Sequence, residues 1–148
     1  MRTIRAAAFT ELDGLTLYRL LALRVGVFVV EQACAYPELD GRDVEATTLH
    51  LWIDGDDGAP AAYVRVLAEP DGAVRIGRVV TAPDRRGEGL AAALVADALA
   101  RTAPADAVLD AQSHLTAWYE AFGFEVAGAE YLDDGIPHTP MRLVRASC

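Results

Sequence analysis

The chain has 148 residues, 53% of them hydrophobic, which fits one domain able to bury a core without disulfides or a structural metal. Its formal charge is −9 and its 13 strong bases are all arginine, a balance that argues against non-specific nucleic-acid binding and suits a cationic substrate such as an amine. Cys34 and Cys148 form no metal-ligand spacing or disulfide framework, no signal-peptide pattern opens the chain, and no apolar run reaches the roughly 20 residues of a membrane span, so a soluble protein of a reducing bacterial cytoplasm is expected.

Taken in chain order, residues 2–9 read as a first strand. From Gly14 to Gln32, Leu17, Leu20, Leu21, Val27 and Phe28 recur at helical spacing, which predicts one or two helices. Residues 33–43 have the Pro, Gly and Asp content of a loop. "TLHLWIDG" and "PAAYVRVLAE" then read as a hairpin turning at Asp56-Asp57-Gly58, and Asp71-Gly72 turns the chain into a third strand at 73–82. Arg65 and Arg78 sit inside these apolar strands, on the faces of Tyr63 and Leu67, and of Ile76 and Val80. A charge on a buried sheet face needs a partner, so an ion-pair network with Glu31, Asp40 or Asp43 is expected there.

After Gly89 the period changes: Leu90, Leu94, Val95, Ala98 and Leu99 fall on one helical face, and Pro104 closes that helix. A short strand at 106–111 follows. Leu115, Trp118, Tyr119 and Phe122 then define a small amphipathic helix ended by Gly123. "FEVAGAEYL" and "TPMRLVRA" form the last strand pair around "DDGIPH". The order makes about seven strands, and a strand–helix–strand unit at 75–111 within an otherwise antiparallel sheet means a mixed α+β domain with a right-handed crossover.

The turn "RRGEGLA" before the third helical segment carries chemistry. Gly87 and Gly89 permit backbone conformations and close approaches that a side chain forbids. The first N–H groups of the following helix have no internal partner and lie at the positive end of its dipole, where an anion is stabilised. Arg85 and Arg86 add charge with a fork suited to phosphate. On these residues alone, phosphate binding and an ordinary tight turn stand about level. No Gly-Lys-Ser/Thr follows, which argues against a nucleoside-triphosphate loop, and the turn does not follow the first strand of a parallel series as a dinucleotide turn does.

Arg86-Gly87-Glu88-Gly89-Leu90-Ala91 resembles the R-x-x-G-x-G/A element of the GNAT family of N-acetyltransferases, and it follows a "VVTAP" strand end as that element does. "AWYEAFGF" (117–124) resembles the same family's second signature. "LRVGVFVVEQACAYPELDGRD" (23–43), "IGRVV" (76–80), "AQSHLTAWYEAFGF" (111–124) and "DGIPHTPM" (134–141) are similar to its ElaA-like branch, in unbroken order over nearly the whole chain. The resemblance implies a central, mostly antiparallel twisted sheet with a splayed parallel strand pair, flanked by helices.

It also implies a donor and an acceptor. Acetyl-CoA would lay its pantetheine arm in the splay, with backbone groups of Val79, Val80 and Thr81 pairing its amides as an added strand would. The pyrophosphate would rest on Arg86, Gly87, Glu88, Gly89, Leu90, Ala91 and Ala92. An amine would attack the thioester directly, with Tyr119 as the acid for the departing thiolate. Glu31, which follows the apolar "VGVFVV" run, is the expected base or ammonium anchor, its pKa raised by desolvation. His50, His114 and His138 are rivals. Phe28, Glu31, Asp40, His50, Arg78 and His138 are expected around the acceptor, with no metal. The alternative is a CoA-binding regulatory module of the same fold without turnover. The acceptor and the oligomeric state, a homodimer included, stay open.

Overall fold

The computed structural model describes residues 3–34 and 37–145. Arg2, at the head of the expected first strand, and Cys148 lie outside them, as do residues 35 and 36 of the expected loop. Eight strands form one sheet: β1 (Ile4–Ala7), β2 (Leu49–Asp54), β3 (Pro60–Ala68), β4 (Val74–Thr81), β5 (Ala107–Gln112), β6 (Glu125–Val126), β7 (Tyr131–Asp133) and β8 (Ile136–Leu143). The order across the sheet is β1-β2-β3-β4-β5-β8-β6, with β7 also on β8. Every pairing is antiparallel except β4 with β5. The domain is therefore the mixed α+β architecture with one parallel pair that the element order implies.

Helices cover both faces. On one side lies α2 (Leu90–Thr102), whose Leu90, Leu94, Val95, Ala98 and Leu99 are buried against Leu51, Val64, Val66 and Ile76 of the sheet. Each such leucine contributes about 1.5–3 kcal/mol by leaving water. On the other side lies α1 (Gly14–Arg24), capped by Asp13, whose carboxylate accepts from Thr16 N–H at 2.7 Å. It continues directly into a π-helical segment, Val25–Glu31, closed by the Gln32 N–H donating to Val27 C=O at 3.0 Å. A β-branched run around Gly26 is poor α-helix sequence, and the wider turn follows. Leu20 and Val27 pack here with Trp52, Tyr63 and Val80. Among the described residues no helix is long and apolar enough to cross a membrane.

Three details differ from the sequence pattern. The segment 124–132 is not one strand but β6 and β7, which brings the count to eight. The last strand starts at Ile136 rather than Thr139, after a turn at Asp134-Gly135 with φ of +51° and +80°. Pro137 lies beyond β5, whose last pair is Gln112 with His138, so its missing N–H costs no bond on that side. The third difference is in β4. Between Tyr63↔Val80 and Arg65↔Gly77 that strand carries one residue more than β3, a β-bulge in which Arg78 adopts φ +50°. Strict alternation puts Ile76, Arg78 and Val80 on one face. With the extra residue, Ile76 packs beneath α2 and Val80 beneath α1.

Candidate active site

The parallel pair is short. β4 meets β5 only at Val74↔Ala107 and Arg75↔Val108, and beyond Arg75, ahead of the bulge, the two strands part. From Ile76 to Thr81 the edge of β4 that faces β5 has no strand partner, so its backbone groups are available to an extended ligand. A cavity of about 240 Å³ opens in the gap. Gly77, Arg78 and Val79 line it from β4, and Leu109, Asp110 and Gln112 from β5. Tyr119 of α3 (Thr116–Glu120) faces it from below. The π-helical segment and its exit contribute Phe28, Gln32 and Cys34, and the β7–β8 hairpin contributes Tyr131, Asp133, Asp134, Ile136 and His138.

The glycine turn lies at the end of the same strand. Gly87 and Gly89 have φ of +87° and +76°, which only glycine adopts cheaply. Gly89 is the N-cap of α2, and the first internal bond of that helix runs from Ala93 N–H to Gly89 C=O. The N–H groups of Gly89 to Ala92 thus precede the helical ladder, and no side chain caps them. Nothing lies within 4 Å of where a Cβ would stand on either glycine, so the approach to these amides is open. This arrangement fits a pyrophosphate. The arginines are engaged elsewhere: Arg85 holds Glu88 at 2.8 and 3.0 Å, and Arg86 holds Glu31 at 2.7 and 2.6 Å.

That last pair corrects the expectation for Glu31. Its side chain is 42% exposed, outside the cavity lining, and the bidentate bond from Arg86 holds its carboxyl below the usual range. A carboxylate so placed is not the desolvated base the apolar run implies. His50 is corrected too. It is 1% exposed and away from the cavity. Its Nε2 lies 3.0 Å from Asp43 C=O, which can only accept, so Nε2 carries the proton and Nδ1 accepts from the Tyr63 hydroxyl at 2.6 Å. Burial then lowers the His50 pKa, and the ring is a neutral structural group. His114 is exposed and outside the cavity.

Tyr119 and His138 are in the cavity. Tyr119 is 7% exposed, and its ring packs edge-on against Trp118 and Phe124. Its hydroxyl has no protein partner among the described residues, and burial pushes its pKa up to about 12. His138 lies 2.8 Å by Nδ1 from Ile136 C=O, so Nδ1–H donates and the neutral ring presents its Nε2 lone pair elsewhere. Its ring stacks on Tyr131 at 5.9 Å.

The expected ion-pair network exists with Asp40 and Asp43 but without Glu31, and Glu38 and Arg24 join it. Arg65 binds Asp40 at 2.8 Å and Asp43 at 3.2 Å, while Arg78 binds Glu38 at 2.6 Å and Asp40 at 3.5 Å. Arg24, from the buried stripe of α1, joins at 2.8 Å from Glu38 and 2.6 Å from Asp43 and lies 5.5 Å over the Tyr63 ring. Burial works against the Asp40 charge, but hydrogen bonds from Arg65 and the Arg42 N–H outweigh it and hold the pKa down to about 2. The network pins the loop at 38–43 to the sheet. Asp40 therefore stands behind Arg65 and Arg78 and is not itself in the lining.

Sequence reasoning missed Glu38, Arg24 and, apart from His138, the β7–β8 wall. Arg24 had a signal: it falls four residues after Leu20 and three before Val27, on the buried stripe, where a charge demands a partner. Nothing in "PELDGRD" distinguishes Glu38 from its neighbours. Among the described residues no group of three or more His, Cys, Asp or Glu is arranged to hold a metal ion.

Comparison with known proteins agrees with this geometry. A family model described as an acetyltransferase (GNAT) domain matches residues 25–145. A UPF0039 protein of Mycobacterium tuberculosis is 50% identical over 134 residues, 88% of this chain and 86% of that one. The Escherichia coli protein ElaA is 38% identical over 138 residues, 89% and 90% of the two chains. Its crystal structure superposes with a TM-score of 0.90 over 97% of this chain and 99% of its own. An acyl-CoA N-acyltransferase from Pseudomonas aeruginosa gives the same TM-score at 39% identity, over 97% of this chain and 100% of the other.

Proposed function

Because this chain belongs to the GNAT family of acetyltransferase domains, as a member similar to ElaA, we propose that it transfers an acetyl group from acetyl-CoA to an amine held where β4 and β5 part. Acyl-CoA-dependent N-acyl transfer is the chemistry that fold and family support. The acetyl donor and the residue roles are our reading. The donor's pantetheine amides pair with the unpartnered edge of β4 at Val79 to Thr81, and its pyrophosphate takes the amides of Gly89 to Ala92.

The observation that carries the reading is the Tyr119 hydroxyl, buried, protonated and without a protein partner, facing the gap that a thioester would enter. Attack by an amine on the thioester forms the C–N bond and breaks the C–S bond. The nitrogen must shed a proton and the sulfur must gain one. Tyr119 donates to the sulfur as charge develops there, in a dry site where such a bond is worth most. The Nε2 lone pair of His138, in the same cavity, takes the proton from nitrogen. His138 replaces Glu31 in that role because Glu31 is spent on Arg86.

A thiol-release assay with acetyl-CoA over a panel of amines tests this. Tyr119→Phe should lower kcat by about 10²–10⁴-fold with donor affinity unchanged. Tight CoA binding with no release on any amine, and no effect of the Phe variant, would instead identify a binding module. Absence of CoA binding would reject both.

A further inference from the structure

The cavity has two differently charged walls. Three arginines line it, and each is already engaged. Arg75 donates to Glu69 and Asp110, both at 2.5 Å. Arg65 commits its two terminal nitrogens to Asp40 and Asp43, and Arg78 binds Glu38. That wall is neutralised from behind and offers little to an anionic ligand. The part of the lining on the β7–β8 hairpin is not. Asp133 and Asp134 line the cavity and form no ion pair among the described residues.

The same wall is aromatic. Tyr131 and His138 stack at 5.9 Å with their planes 25° apart, and both face the cavity. Burial and then the neighbouring Asp110 push the Tyr131 phenol up to about 12, so it stays neutral. The Cys34 thiol is kept protonated by burial and then by the Asp134 charge. Two uncompensated carboxylates beside a neutral aromatic face form a receptor for a cation. A second, independent mark of a ligand lies in the same cavity: Tyr119, a side chain more than nine-tenths buried, whose hydroxyl has no partner among the described residues.

We propose that the acceptor carries a second positive charge beside its reacting amine, a diamine or polyamine, and that Asp133 and Asp134 with the Tyr131 face hold this second cation. The inference rests on reading the cavity as the acceptor site. One cation sits against the hairpin while the other nitrogen, deprotonated, reaches the thioester. An acceptor with a carboxylate next to its amine meets the same two aspartates and is repelled.

The test uses matched linear ligands of equal length with CoA present: a diamine, an amino alcohol and an ω-amino acid. Calorimetry measures binding and thiol release measures turnover. The diamine should bind roughly tenfold more tightly than the amino alcohol. Asp133→Asn combined with Asp134→Asn should erase that difference, leave the amino alcohol unchanged and raise KM for the diamine far more than it lowers kcat. Asn tolerates the left-handed conformation at position 134, so the variant keeps its turn. Equal binding of diamine and amino alcohol, tighter binding of the amino acid, or a preference that survives the double variant overturns the proposal. Selective diamine binding without turnover upholds it and removes the acetyltransferase reading instead.

Discussion

Arg86 grips Glu31 with both guanidinium arms, joining the glycine turn before α2 to the end of the π-helical segment across 55 residues of chain. The next residue, Gln32, accepts from Gln112 Nε2 at 3.3 Å, on β5. The exit of the π-helical segment is thus tied to both sides of the splay. If the turn takes a pyrophosphate, Arg86 is the residue for which phosphate and Glu31 compete.

Glu31→Gln should therefore tighten CoA binding, by roughly two- to fivefold, the scale of an exposed ion pair. Arg86→Ala should weaken it and cancel the effect of the Glu31 change in the double variant. Calorimetric titration with CoA measures all four states of the cycle. An unchanged affinity in Glu31→Gln would show that Arg86 does not reach the donor.

Acid should unfold the protein partly through Asp40. Its folded pKa, about 2, lies below the ordinary value of 3.8, so ionised Asp40 contributes stability that is complete above the ordinary value and lost as pH falls toward 2. Asp40→Asn should lower stability by its full amount between pH 6 and 8, and the gap to the parent should close as pH falls from about 5 to 2, as followed by urea denaturation at stepped pH. A parallel loss at all pH values would assign Asp40 a packing role only.

Tyr63→Phe removes the donor to His50 Nδ1 inside a site that is 0–1% exposed. A buried acceptor left without its donor costs about 1–3 kcal/mol. Chemical denaturation should show that loss, and the His50→Phe, Tyr63→Phe double variant should cost less than the sum of the singles.

Arg78 combines a left-handed backbone with a paired side chain, φ +50° and 2.6 Å to Glu38. Arg78→Gly relieves the first and loses the second; Arg78→Met keeps the strain and loses the pair. The Gly variant should be the more stable of the two by about 1 kcal/mol, measured by denaturant midpoint. If Met equals Gly, the bulge is not strained at this residue.

Much of this was legible in the chain. The strand order, the helix at 90–102 and the glycine turn follow from period and turn chemistry, because each depends on neighbours close in sequence, while Tyr119 is singled out by the family resemblance of "AWYEAFGF". Arg65 and Arg78 announced a network because a charge inside an apolar strand must find either water or a counter-charge. What did not show is what distant contact decides. Glu31 follows an apolar run, but Arg86, 55 residues on, draws it to the surface. His50 looks like any pocket histidine until Tyr63 and the Asp43 carbonyl occupy both its nitrogens. Asp133 and Asp134 read as plain hairpin residues, because they acquire meaning only in a cavity whose arginines are already neutralised.

The extra residue in β4 behaves like an inserted letter in a reading frame. Upstream of it Ile76 belongs to the layer under α2, and downstream Val80 belongs to the layer under α1. Deleting Arg78 would close the bulge and leave that division in place. Val64 would then face Val79 directly, Val80 would stay opposite Tyr63 on the α1 face, and Ile76 would stay beneath α2. Flattening the bulge without removing a residue is what would exchange inside for outside beyond Gly77, so the extra residue is what lets one strand serve two core layers.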